Sequence, residues 1–422
     1  MDSLDALRQD ALQHSGTLGL TKREGEVLTQ RADGRSIAEI ARVLAVEPRT
    51  VKFHLQNIYT KLGTRERSQV ARQLALTRYA HARDRSAGDD VCGTPALRPA
   101  APSSVLFRPD RTLTHVLRHN RFTLSAEVLP PRNGAEQSAV LGQVAQLVDA
   151  SAHFLAVTKG AGGSLRGGSL PIAQAIKERF GVPAIAHFTC RDLVAEEVEN
   201  QLVDHHYFGI RNILALRGDP PDGLPEWRPR AGGYNYAHQL IEQIRRLNEG
   251  QYLVRRGGPP SGGQEPADFC IGAAAYPEHP DPQQGLVYFK HKVDAGAHFA
   301  ITQMVFDADA YGRFLDRCAR AGLGIPVLPG TRILRSRAQA TKTAEKFGVS
   351  VPPGVRRTLP AALQTPEDAD ATERGLECFL RLVERLRALG APGVHIFITH
   401  TPTACAALTR LTEHPRPPDC RA

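Results

Sequence analysis

The chain has 422 residues, 41% hydrophobic and 23% charged. That balance leaves apolar material for a large core and excludes a collagen-like, wholly disordered or disulfide-stapled chain. Fifty-three Lys and Arg against 44 Asp and Glu give +9 at pH 7, which points to a nucleic-acid partner only if the excess is local. No uninterrupted apolar run is long enough to span a bilayer. The opening MDSLDALRQD puts acids where an export signal needs a basic and then an apolar stretch. The seven cysteines are odd in number, widely spaced and without a CxxC pair, so free thiols in a reducing cytoplasm are expected, with no metal cluster and no membrane contact.

Three stretches follow one another. Residues 17–80 are basic and helical in pattern, with twelve Lys and Arg against six Asp and Glu, a net of +6. Residues 81–112 are rich in Pro, Ala, Ser and Gly without apolar periodicity and read as a linker. Residues 113–412 alternate β-rich runs with helical ones.

In the first stretch Thr21 with Glu24, and Ser36 with Glu39, have capping-box spacing. Gly34 and Gly63 fall where helices should stop. Pro48 opens a further helix in which Val51, Leu55, Ile58, Tyr59 and Leu62 recur at helical spacing. Arg49, Lys52, Phe53 and Gln56 occupy its other face. A short turn leading into a helix with one apolar and one basic face suits the DNA major groove. Residues 20–67, with LTKREGEVL, EIA at 39–41, TVKFH at 50–54 and NIYTKLG at 57–63, resemble the LuxR-type helix-turn-helix. The resemblance implies an all-α module on double-stranded DNA, usually dimeric, so self-association of the chain is expected. It places Arg49, Thr50, Lys52, Phe53, Gln56 and Lys61 at the DNA, with Lys52 and Lys61 on phosphates and Arg49, Phe53 and Gln56 at base edges or backbone.

Eight runs rich in Val, Ile, Phe and Thr follow, at 122–128, 154–158, 184–189, 212–217, 269–276, 299–306, 326–333 and 394–400. Amphipathic stretches such as 171–180, 237–248 and 309–322 lie between them. Eight repeats of β then α favour a (β/α)8 TIM barrel over a doubly wound sheet. The Gly-rich 160–168 segment lacks GxGxxG spacing, and no Walker A sequence is present. In a barrel, catalytic groups collect at the carboxyl ends of strands. Those ends read Glu127, Thr158, His187 with Thr189, Asp219, Tyr276 with Glu278, and Gln303. The convergence of several polar groups raises the expectation of a site.

EVLPPR (127–132), VTKGAGGS (157–164), HFTCRD (187–192), LRGDPP (216–221), YPEHP (276–280), KVDAGAHFAITQMVFD (292–307) and IPVLPG (325–330) are similar, in this order, to the methylenetetrahydrofolate reductase family. The resemblance implies reduction of 5,10-methylenetetrahydrofolate to 5-methyltetrahydrofolate by NAD(P)H through bound FAD. It makes Glu127 the general acid, Asp219 a group beside flavin and pterin, and Gln303 the pterin-binding amide. Thr158, His187, Arg217, Tyr276, His279 and Lys292 match flavin-contacting positions. Four places depart from the family pattern: Lys159 after Thr158, Gly285 where an acid is frequent, Leu359 near the expected nicotinamide-stacking aromatic, and HIFITH at 395–400. These leave open a second reading, a regulator whose barrel senses folate, flavin or nicotinamide, and a third, in which hydride passes without a flavin.

Overall fold

The computed structural model describes residues 21–32, 37–61, 107–131, 137–160, 168–220, 228–254 and 264–413. The chain divides into two compact units, Met1–Ala100 and Ala101–Ala422.

The first unit holds α1 (Lys22–Ala32), α2 (Ile37–Val43) and α3 (Pro48–Lys61). Thr21 caps α1 reciprocally. Its N–H donates to Glu24 Oε2 at 2.7 Å, and its Oγ1 accepts from Glu24 N at 3.3 Å. The turn between α2 and α3 places Ala45 in the left-handed region, φ 51°. Val46 N closes it by donating to Ala41 O at 3.0 Å. Val27, Ile40, Ala41, Val51, Leu55 and Ile58 form the small core, so the apolar face of α3 packs inward as its spacing requires. Ser36, Gly34, Leu62 and Gly63 lie outside the described residues, as do the side chains of Gln56 and Tyr59.

The second unit opens with α4 (Leu113–His119) and then runs β1 (Thr123–Val128), α5 (Gln137–Asp149), β2 (Phe154–Val157), α6 (Ser169–Phe180), β3 (Ala184–Thr189), α7 (Ala195–Tyr207), β4 (Asn212–Leu216), α8 (Ala237–Asn248) and β5 (Cys270–Ala275). It continues with α9 (Pro282–Asp294), β6 (Phe299–Met304), α10 (Ala308–Arg320), β7 (Val327–Thr331), α11 (Arg337–Phe347), α12 (Pro353–Thr358), α13 (Ala369–Ala388), β8 (Gly393–Ile396) and α14 (Thr401–Glu413). The eight strands are parallel and close in sequence order, β8 pairing with β1.

Seven strands fall inside their predicted runs. The eighth starts one residue early and stops at Ile396, because residues 397–400 lead into α14, where His400 Nδ1 meets Thr403 Oγ1 at 2.8 Å. The predicted 309–322 helix ends at Arg320, and Gly322 turns the chain at φ 70°.

Side chains alternate about each strand. Outward residues pack under α5, α6, α7, α8, α13 and α14 in one cluster, and under α9 and α10 in another. Inward residues Phe154, Ala156, Ile185, Leu214, Phe299, Ile301 and Leu328 fill the barrel. Leu113, Val116 and Leu117 of α4 close its amino-terminal end. Leu113 N donates to Asn212 Oδ1 at 2.6 Å, tying that plug to the start of β4. With this end sealed, only the carboxyl end of the barrel is available as a mouth.

Among the described residues no helix is long and apolar enough to cross a membrane, and no cluster of metal ligands occurs. Cys190, Cys270, Cys318, Cys378 and Cys405 are free thiols.

Candidate functional site

Strand pairing places Glu127 opposite Ala156, so it continues the inward series Thr123, Ser125 and stands at the rim. Desolvation raises its carboxyl to about 7, while the positive charge of Arg332 pulls against the rise. A carboxyl near 7 is divided between acid and carboxylate at neutral pH, which suits proton donation.

Arg332 stands one residue beyond β7. Its Nη1 donates to Thr343 Oγ1 of α11 at 3.2 Å, and its guanidinium lies 5.9 Å from the Phe347 ring centroid. Its Nε is enclosed and has no hydrogen-bond partner. Burial lowers the guanidinium's proton affinity, and Glu127 raises it. Sequence reasoning passed over this residue. The signal was available, because 332 is the last but one residue of the seventh run as Glu127 is of the first.

Below the rim sit two buried imidazoles. Burial depresses His187 to about 4, and burial with the neighbouring charge of His187 depresses His395 to about 3. Both are therefore neutral at pH 7. His395 Nδ1 meets Ser125 Oγ at 3.0 Å, whereas His187 Nε2 has no partner. Thr158 Oγ1, buried at the end of β2, also lacks one. Two orphaned polar atoms beneath one mouth are what a bound polar ligand would satisfy.

The β4–β5 side of the mouth brings four more expected residues together. Burial and the charge of Asp219 raise the Tyr276 hydroxyl, and Arg217 lowers it. The Tyr276 ring is 47% exposed, and the Lys292 ammonium lies 5.2 Å from its centroid. Lys292 Nζ donates to Ala274 O at 2.8 Å, and burial lowers its proton affinity to about 8. Gly218 makes the turn that delivers Asp219. It sits at φ +94°, and a Cβ there would come within 2.8 Å of Arg191 Cβ. Arg191 Nη1 then holds Asp219 O at 2.7 Å.

On β6 the Gln303 Oε1 accepts from Met304 N at 2.9 Å, so its NH2 end is left for the mouth. His279 hydrogen-bonds within the turn to Asp281 and packs edge-on to Tyr288 at 6.0 Å. The same imidazole explains Gly285: a Cβ there would come within 2.7 Å of His279 Cβ, so an acid has no room. Lys159 turns away from the mouth. Its ammonium donates to Gln201 Oε1 at 2.8 Å, over the Phe188 ring. Leu359 is 2% exposed within the α11–α12 cluster and presents no stacking surface.

In the helical unit Arg49 and Lys52 are exposed and Thr50 is half-buried on α3. Phe53 is 61% exposed. Lys61 differs, because its ammonium is engaged by the buried Glu24 carboxylate at 2.7 Å. Desolvation pushes Glu24 up, but the hydrogen bonds from Lys61 and Thr21 outweigh it and hold the carboxyl below its ordinary value. The role visible for Lys61 is thus to join α3 to α1.

A closed barrel with an acid, a cation and orphaned polar atoms at one mouth, in a chain that also carries a helical unit with a basic face, has the makeup of a barrel enzyme joined to a helix-turn-helix. The bacterial regulatory protein luxR-family profile matches residues 18–74. The methylenetetrahydrofolate reductase profile matches residues 112–410, and the chain belongs to that family. The 5,10-methylenetetrahydrofolate reductase of Escherichia coli K12 is 32% identical over 287 residues, 67% of this chain and 86% of that protein. That of Salmonella typhimurium is 35% identical over 238 residues, 55% of this chain and 71% of the relative. Methylenetetrahydrofolate reductase 1 of Schizosaccharomyces pombe is 30% identical over 291 residues, covering 68% of this chain and 45% of the relative.

Proposed function

We propose that the barrel reduces 5,10-methylenetetrahydrofolate to 5-methyltetrahydrofolate with NAD(P)H, and that the helical unit binds double-stranded DNA. The observation that carries the first half is Glu127, a rim carboxyl raised to about 7. The methylene bridge must open at N10 before a hydride can reach the carbon, and the departing nitrogen needs a proton. A carboxyl that retains its proton near neutrality supplies it. Gln303 offers its NH2 end to the pyrimidine edge of the pterin, and Asp219 stands beside Tyr276 at the same mouth.

FAD fits the residues present. Thr158 Oγ1 and His187 Nε2 need partners, Arg217 and Lys292 supply cations suited to its phosphates, and the half-exposed Tyr276 ring offers a stacking face. His279 belongs to the same side of the mouth, packed against Tyr288. When bound, FAD would carry the hydride between nicotinamide and folate.

On α3, Lys52 is assigned to phosphate and Arg49, Thr50, Phe53 and Gln56 to base edges or backbone, with dimerisation setting paired half-sites. Lys61 is assigned to holding α3 in place rather than to phosphate, because Glu24 engages it.

The test is direct. Purified full chain should carry a yellow cofactor and oxidise NADH or NADPH only with methylenetetrahydrofolate. Folate binding without turnover would refute the reductase. It would instead support a ligand-sensing barrel, the reading favoured by the closed Gly285–His279 contact and the buried Leu359. For the helical unit, sites selected from random duplex should be lost in the Arg49→Ala/Lys52→Ala double variant.

A further inference from the structure

The helical unit carries an apolar side chain that its core does not use. Val51, Leu55 and Ile58 face inward from α3 and are buried in the small core. Phe53 lies on the opposite face and is 61% exposed, more than any other described Phe or Tyr. Its one ring contact is with the adjacent His54, T-shaped at 5.8 Å between centroids, which leaves most of the phenyl surface in water. Arg49 and Lys52 are exposed beside it, since positions 49 and 53 share a helix face and 52 adjoins it. Among the described residues no carboxylate holds either cation, whereas Glu26 engages Arg23 and Glu24 engages Lys61. An apolar ring between two unneutralised cations suits a polyanion that also offers an apolar group.

We infer that Phe53 is a specificity-determining residue whose ring packs on the C5-methyl of a thymine in the major groove, with Lys52 on the adjacent phosphate. The inference rests on the proposed DNA-binding reading and deepens it by naming the base and the group that is read. A phenyl ring makes no conventional hydrogen bond to a base N–H or carbonyl. The major groove presents one apolar group, the thymine methyl, and contact with it withdraws both surfaces from water. Cytosine would instead turn its N4 amino group against the ring and lose a water partner for it. Thr50 is the other α3 side chain on this stretch that ends in a methyl, and it is half-buried.

The probe is the set of duplexes that the full-length chain selects from a random pool. Each thymine of a selected duplex is replaced in turn by deoxyuridine, which pairs alike but lacks the methyl, and Kd is read at one fixed salt concentration. At least one position should weaken by about threefold to tenfold. Phe53→Ala should bind the thymine duplex more weakly by a similar factor, and deoxyuridine at that position should then cost nothing further. Phe53→Leu keeps an apolar group and should retain a smaller methyl dependence. Helical circular dichroism checks both variants; if the alanine variant has lost its helices, the leucine variant decides by the size of its deoxyuridine penalty. Wild type that binds selected DNA but is indifferent to every methyl overturns the inference. So does an equal deoxyuridine penalty in wild type and in the folded Phe53 variants, which would give the methyl to another side chain such as Thr50. If the wild type selects no duplex, the DNA-binding reading itself has failed and the inference falls with it.

Discussion

Replacing Glu127 by Gln separates the catalytic cost of this carboxyl from its structural cost. The side chain is nearly isosteric, and the described residues give the carboxyl no hydrogen-bond partner, so little packing is lost. Its proton affinity lies near 7 in the folded chain, against 4.5 in the unfolded one. A raised carboxyl binds protons more tightly when folded. Folding stability is therefore undiminished below about pH 4.5, declines as pH rises, and levels off above about pH 7. The gap corresponds to about 3 kcal/mol at most, at 1.36 kcal/mol per unit. Gln carries no charge at any pH and escapes the decline. Glu127→Gln should therefore equal wild type near pH 4.5 and exceed it at pH 8 by about 1–3 kcal/mol. Turnover should meanwhile fall by about 10²–10⁴-fold. Urea unfolding of the barrel at the two pH values reads the first effect, and NADH oxidation the second. A variant no more stable than wild type at pH 8 would refute the desolvated-acid argument. Full turnover in Glu127→Gln would refute the acid role.

Three further substitutions test the scaffold. Gly272 faces Phe299 inside the barrel, where a Cβ would come within 2.4 Å of the ring. Gly272→Val should cost about 1–3 kcal/mol or more by overpacking, read as a lower denaturation midpoint. Asp110 accepts from Ala184 N and Arg111 N, both at 2.8 Å, beneath β3. Asp110→Ala leaves the Ala184 amide without that acceptor and should cost about 1–3 kcal/mol by urea titration. Lys61→Met removes the partner of buried Glu24 and should melt the helical unit, seen as lost helical circular dichroism, whereas Lys61→Arg should keep it. A folded Lys61→Met variant with weakened DNA binding would return Lys61 to the phosphate contacts.

Much of the fold was legible because its signals are local. Eight β-rich runs separated by amphipathic stretches predict a barrel without reference to any contact, and the observed strands follow them. The strand ends likewise pick out Glu127, Thr158, His187 and Gln303, since alternation alone brings same-phase residues to one rim. What sequence order hides is which charges meet. Arg332 lies 205 positions after Glu127 in the chain, and only barrel closure through β8 brings their fields together. His395 was hidden in the same way, its imidazole defined by Ser125 across the β1–β8 seam.

The helical unit teaches the converse. Lys61 carries a positive charge on α3, the helix proposed to read DNA, and by type alone it belongs with Lys52. Its partner Glu24 was recognised from spacing only as half of a capping box. The structure gives that one carboxylate two duties, accepting the Thr21 amide and the Lys61 ammonium on the same oxygen. A cation is available to phosphate only to the extent that no buried carboxylate holds it, because breaking such a pair strands a charge in the core. Exposure and pairing, not residue type, therefore divide the basic residues of α3 into the exposed Arg49 and Lys52, proposed to meet DNA, and Lys61, which Glu24 engages.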